Sequence, residues 1–211
     1  VFNYNTRNDN VILGDTYKVL YGNDYVIEKC LGNKVKLHFK SFFQVNPIQM
    51  EVLYNQAIKA ANLSGNETCI DMYAGTGTIG MAVSKHAKSV IGVEIVKEAV
   101  DNANDNTKMN HLDNCHYVCQ DATDFAHEHK SDKIDVVFID PPRKGMAENG
   151  IQDTVTMQPE KIIYVSCNPK TLSRDLKIFK NYGYQCEYVQ PVDMFCQTTG
   201  LECVAKLVKI V

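Results

Sequence analysis

Successive strand-like runs of this 211-residue chain end on groups that can do chemistry. Asp71 closes "TCIDMY" ahead of a glycine-rich turn, Glu94 ends the run containing "GVE", Asp121 follows "CHYVCQ", Asp140 stands in "FIDPPR", and Cys167 ends "KIIYVSC". In an open parallel sheet, ligands bind at the carboxyl ends of the strands, near the point where strand order reverses. These residues therefore form a row of acids and one thiol along a single rim. An isolated cysteine is usually a small buried apolar group. Cys167, however, is followed by Asn168-Pro169, a helix start, and by Lys170, Arg174 and Lys177 on that helix. A helix N-terminus and nearby cations favour the thiolate, which makes Cys167 the candidate nucleophile.

The turn "DMYAGTGTIG" carries Gly75, Gly77 and Gly80 in the G-x-G-x-x-G spacing of a dinucleotide-binding loop. That spacing alone does not choose the nucleotide, and Glu94 lies at the interval expected of a ribose-binding acid in either cofactor class. Asp71 discriminates. A carboxylate beside the turn repels a pyrophosphate but can hold the α-ammonium of a methionine, directly or through water. S-adenosylmethionine is favoured, with an NAD-dependent oxidoreductase as the competing reading. After Asp140, Pro141 and Pro142 fix the backbone and remove two donors, giving a stiff wall on which a planar base can stack.

The elements that must position these groups are legible in outline. "YKVLYG", "DYVIEKC" and "KVKLHFKSFF", separated by turn signals, predict a small N-terminal β segment. "NPIQMEVLYNQAIKAANL" reads as a helix, with Asn46 ahead of Pro47 and apolar residues at helical spacing from Ile48 to Leu63. Beyond it, β-branched runs alternate with helical stretches, which predicts an α/β fold with a doubly wound, largely parallel sheet. Seven runs, the last two without a long helix between them, describe the Rossmann-like sheet of class I S-adenosylmethionine-dependent methyltransferases, with an antiparallel last strand. We divide the chain into residues 1–45 and 46–211.

Composition narrows the classes. With 45% hydrophobic and 22% charged residues, the chain suits a soluble globular protein. It has neither an apolar run long enough to cross a bilayer nor a secretory leader, so it reads as a cytoplasmic monomer without a membrane partner. Lacking an initiator Met and starting in a polar stretch, it is expected to be part of a longer chain. The eight cysteines contain no C-x-x-C pair and read as reduced thiols, and the six histidines show no metal-ligand spacing, so no metal is expected. A formal charge of -3 argues mildly against nucleic acid. Arg143, Lys144, Lys170, Arg174, Lys177 and Lys180 nevertheless follow the fourth and fifth runs as a basic rim. For Lys177 and Lys180 a solvated helix face is an equally good reading.

"SFFQVNP", "DMYAGTGTIG", "GVE", "DPPRKG", "VSCNPKTLSRDL" and "PVDMFCQTTGLECV" together resemble, in the same order and over essentially the whole chain, the RNA uracil-C5 methyltransferases. That family forms 5-methyluridine in tRNA and 23S rRNA. The resemblance implies Cys167 as nucleophile and Glu202 as general base. It implies a cofactor site for S-adenosylmethionine from Gln44, Tyr73, Gly75, Gly77, Thr78, Glu94 and Asp140, with the rim acids Asp71 and Asp121. Pro141, Pro142, Arg143, Lys144, Asn168, Arg174 and Gln197 are the candidate RNA contacts. Residues 1–45 become the tail of a central RNA-binding β domain. No iron–sulfur cluster is expected in this segment, because the close cysteine spacing found in some members is missing. Cys196 and Gly200 stand where the family commonly has Pro and His, which leaves the shape of that loop open. Cytosine-C5 methylation and a noncatalytic RNA-binding module compete with the uracil-C5 reading.

Overall fold

The computed structural model describes residues 1–8 and 12–210; residues 9–11 of the N-terminal segment and Val211, at the end of the last expected strand, lie outside the described residues. The chain opens with two antiparallel pairs, β1 (Phe2–Tyr4) with β2 (Thr16–Lys18) and β3 (Tyr25–Cys30) with β4 (Asn33–His38). The strand expected from Lys34 to Phe43 stops at His38, because its partner begins at Tyr25 and those two residues form the last pair. Helix α1 (Pro47–Ala61) follows, with the Asn46 side chain accepting the Gln49 N–H at 3.2 Å and Pro47 in the first turn, where no donor is lost.

The remaining strands are β5 (Thr68–Met72), β6 (Ser89–Glu94), β7 (Cys115–Cys119), β8 (Val136–Ile139), β9 (Lys161–Ser166), β10 (Tyr184–Val192) and β11 (Glu202–Lys209). They form one seven-stranded sheet in the order β10-β11-β9-β8-β5-β6-β7. From β7 through β9 the pairing is parallel, whereas β11 runs antiparallel to both β9 and β10. The last strand is therefore antiparallel, as its sequence context implies, and it lies inside the sheet rather than at an edge. Strand order reverses between β5 and β8, which is where a ligand crevice is expected.

Helices α2 (Thr78–Ser84), α3 (Lys97–Met109), α4 (Ala122–Glu128), α5 (Glu148–Thr156) and α6 (Pro169–Asn181) cover the sheet with α1. One face packs on residues such as Leu53, Met81 and Val100, the other on Phe125, Ile151, Leu172 and Phe179. Burial on both faces explains the continuous apolar character of "VVFI" and "IIYV". The β3–β4 hairpin shares the first of these cores through Cys30, Val35 and Leu37. Fully buried Asn106 of α3 fixes it by accepting the Lys36 N–H at 2.8 Å and donating to the Lys36 and Thr76 carbonyls.

Candidate active site

A cavity of about 1220 Å³ opens over the carboxyl ends of β5, β6, β8 and β9. Single-ligand pockets typically occupy about 300–1,000 Å³, so this one has room for two ligands side by side. Of the sequence-derived candidates, Gln44, Asp71, Tyr73, Gly75, Thr78, Glu94, Asp140, Pro141, Pro142, Arg143, Cys167 and Glu202 all line it.

Sheet register brings Cys167 and Glu202 to the same place. Cys203 of β11 pairs with Ser166 of β9, and one further step along this antiparallel ladder sets Glu202 opposite Cys167. Cys167 is held at the turn into α6, where the Asn168 side chain caps the helix through the Lys170 N–H at 3.1 Å and Ser166 Oγ accepts the Asn168 N–H at 3.2 Å. Glu202 is 2% exposed, not a surface glutamate on an edge strand. Burial raises its pKa to about 7. Asp140, one residue beyond β8, is pushed up to about 8 by burial and then by the charges of Glu202 and Asp71. Neither carboxyl has a hydrogen-bond partner among the described residues.

These carboxyls correct one expectation. The Cys167 thiol is raised above its ordinary pKa, first by burial and then by Glu202 and Asp140, with Arg143 only partly opposing them. Of the helix cations, Arg174 is turned away: its guanidinium pairs with Asp175 at 2.7 Å and donates to the Lys144 and Met146 carbonyls. Proximity in sequence gave the charges but not their directions.

At the other end of the cavity the glycines divide their roles. A Cβ on Gly75, which has φ +54, would meet nothing within 4 Å, so this glycine leaves the backbone open to a ligand. Gly77 and Gly80 instead make room for Tyr117: a Cβ there would lie 2.6 Å from its ring and 2.5 Å from its hydroxyl, respectively. Tyr117 of β7, fully enclosed beneath the turn, donates to the Gly77 carbonyl at 2.7 Å. The amides of the turn already have partners. Gly75 N–H donates to Glu94 Oε2 at 3.0 Å, Gly80 N–H to Asp71 Oδ2 at 2.8 Å, and Gly77 N–H to the Ala74 carbonyl at 2.8 Å. A pyrophosphate would find these donors taken and acids in its path. Asp71 is raised to about 7, mainly by burial, with the Gly80 N–H opposing the shift.

Several candidates lie elsewhere. Asp121 caps α4 by accepting the Thr123 N–H at 2.8 Å and is absent from the cavity wall. Asn168 donates to the Arg143 carbonyl in the loop between β8 and α5, Lys144 lies in that loop with its carbonyl accepting from Arg174, and Gln197 is an exposed residue in the left-handed conformation at φ +62. Sequence reading missed Tyr54 of α1, which lines the cavity and shares a 3.1 Å hydrogen bond with Thr78. It also missed Tyr117, although a strand tyrosine opposite three glycines is a usable signal. Tyr17, Asp24, His38 and Lys40 extend the cavity wall onto the N-terminal strands. Among the described residues no group of three or more His, Cys, Asp or Glu is placed to hold a metal, and all eight cysteines are free thiols.

The strand order and a carboxylate-rich cavity at its switch point define the methyltransferase class of Rossmann-like folds. Solved structures agree: over 97% of this chain and 49% of its own length, the tRNA (uracil-54, C5)-methyltransferase of Pyrococcus abyssi, crystallised with S-adenosyl-L-homocysteine, superposes with a TM-score of 0.77 at 29% identity. A putative SAM-dependent methyltransferase from Streptococcus mutans, 14% identical with a TM-score of 0.72 over 91% of this chain and 57% of that one, shares the fold. The chain belongs to the tRNA (uracil-5-)-methyltransferase family, whose model matches residues 11–210. Proteins named as uncharacterized RNA methyltransferases from Streptococcus mutans and Listeria innocua are each 44% identical over 209 residues, 98% of this chain and 46% of theirs. The chain thus spans about half the length of these relatives.

Proposed function

We propose that this chain is the catalytic part of an RNA uracil-C5 methyltransferase that uses S-adenosylmethionine and a transient bond between Cys167 and C6 of the target base. The observation carrying this reading is a single cavity lined by Cys167, Glu202, Asp140 and the open face of Gly75.

The residues suit this cofactor. Asp24, Glu94, Glu98 and Asp101 line the cavity against Lys40 and Arg143, a balance that favours a cation over a pyrophosphate. Glu94 is oriented by the N–H groups of Gly75 and Val96 and keeps lone pairs for a ribose diol. Gln44 is 6% exposed, lines the cavity and has no hydrogen-bond partner among the described residues, so its amide is free for a ligand. When bound, S-adenosylmethionine supplies an electrophilic methyl on a cationic sulfur.

C5 of uracil is a poor nucleophile until the 5,6 double bond is broken. Cys167 ionises, giving its proton to solvent, as positive charge enters the cavity and offsets Glu202. Its Sγ adds to C6, and the displaced electron pair moves onto the C4 oxygen as an enolate. Asp140, raised to about 8 chiefly by burial, is suited to donate a hydrogen bond to that developing charge. C5 then gains the methyl group. Glu202, whose pKa of about 7 matches general-base work, removes the C5 proton. The returning electron pair restores the double bond and expels the Cys167 thiolate. Pro141 and Pro142 line the same cavity as a stacking wall for the splayed base. Arg143 lines the cavity beside them as a basic contact for RNA.

Uridine-containing tRNA and rRNA labelled with tritium at C5 tests the reading in the full-length protein. One tritium is expected in solvent for each methyl transferred. Methylation without tritium release would place the product elsewhere on the nucleotide, and release from C5-labelled cytidine instead would make the base cytosine.

A further inference from the structure

The loop after β8 passes beside Cys167 without regular pairing, and side chains of α6 take up its polar groups. Asn168 Nδ2 and Thr171 Oγ1 donate to the Arg143 carbonyl at 3.2 and 3.3 Å. Arg174 Nη2 donates to the carbonyls of Lys144 at 3.1 Å and Met146 at 2.8 Å. The centre of this arrangement is Asp175, fully buried on α6. Its Oδ2 accepts the Met146 N–H at 2.8 Å and the Tyr164 hydroxyl of β9 at 2.7 Å, while Oδ1 accepts Arg174 Nε at 2.8 Å. Gly145, at φ +73, passes so close that a Cβ would stand 2.5 Å from Asp175 Oδ2 and 2.8 Å from Arg174 Nη2.

One buried carboxylate thus ties together three segments: the loop that carries Pro141, Pro142 and Arg143, the strand that leads into Cys167, and the helix that starts just after it. Asp175 is buried while its partner Arg174 is half exposed, so the pair adds little stability compared with apolar packing, but the directional bonds to the buried carboxyl admit one arrangement. Both sides of the proposed base slot are fastened to it. We propose that Asp175, acting with Arg174 and Tyr164, is a positioning residue that sets the separation of Cys167 from the Pro141-Pro142 wall and so holds the target pyrimidine at attack distance from Sγ. This rests on Cys167 being the nucleophile.

The test compares wild-type and Asp175→Asn full-length protein by calorimetry with S-adenosylmethionine and by single-turnover C5-tritium release at saturating RNA. Cofactor affinity should stay within about threefold, since the glycine turn lies on other strands, while the turnover step falls about 100-fold, as expected for an ångström-scale misplacement. Tyr164→Phe, which removes one donor and keeps the carboxylate, should lie between the two. A wild-type rate in folded Asp175→Asn protein overturns the proposal. So does an equal fall in affinity and rate, the signature of general loosening. If Asp175→Asn does not fold, Tyr164→Phe decides by the same criteria. Wild-type protein that releases no C5 tritium overturns the functional reading, and this proposal with it; release that is unchanged in the variant overturns this proposal alone.

Discussion

The two ends of the cavity anchor their carboxyl groups differently. At the β5–β6 end, Glu94 receives two backbone N–H groups and Asp71 receives one, so these acids are oriented by the turn they support. At the β8–β11 end, Asp140 and Glu202 have no such partners among the described residues, and burial pushes them to about 8 and about 7. Burial raises Asp71 to about 7 as well, so the ends differ in anchoring: backbone donors fix the carboxyls of the first, while those of the second are left free to exchange protons with a ligand. In the proposed mechanism, binding and chemistry are thereby separated along one rim, although both halves are built from the same residue types.

Replacing Glu202 with Gln breaks this contrast most strongly. Loss of a general base costs about 10²- to 10⁴-fold, so C5-tritium release should fall by roughly a thousandfold. The same variant reports on stability. Folded Glu202 keeps its proton up to about pH 7, whereas the unfolded side chain ionises near 4.5. Between these values the folded state binds more protons, so the ligand-free protein should lose stability as pH rises through that window, on the order of 3 kcal/mol from this group. Urea unfolding at pH 5 and pH 7.5 should show a smaller difference for Glu202→Gln than for wild type.

The binding end is tested next by Tyr117→Ala. Emptying the space under Gly77, Gly80 and Gly92 should cost about 3–5 kcal/mol in thermal or urea unfolding. Cofactor affinity should fall at least about tenfold in calorimetry. Alkylation of Cys167 by iodoacetamide should keep its wild-type rate, because that thiol belongs to the other end. The smallest effect is expected for Asp121→Ala, which removes a helix cap worth about 1 kcal/mol. Its cofactor affinity should be unchanged, in keeping with its position outside the cavity.

What was legible in the sequence was the material of each strand and the group at its end. The β-branched runs, the glycine turn, Asp140 and Cys167 are local features, and parallel pairing places strand ends on one rim. What was not legible depends on register and direction. Glu202 meets Cys167 because Cys203 pairs with Ser166, a partnership that no local pattern encodes. Gly77 and Gly80 make room for a tyrosine from β7 rather than for a ligand. Arg174 lies a few residues from Cys167 in sequence yet points to Asp175. The thiolate expectation failed there, and the raised thiol follows from two carboxyls that are distant in the chain and close in the fold.

The most direct test uses RNA with 5-fluorouridine at the target position, because in the proposed mechanism Glu202 removes a proton from C5 and a base cannot remove fluorine in that way. The mechanism predicts a methylated protein–RNA species that survives denaturing electrophoresis, maps by peptide mass to Cys167 and is missing in Cys167→Ala. Methyl transfer to this RNA without any such species, or a species that persists in Cys167→Ala, would contradict covalent catalysis by this thiol.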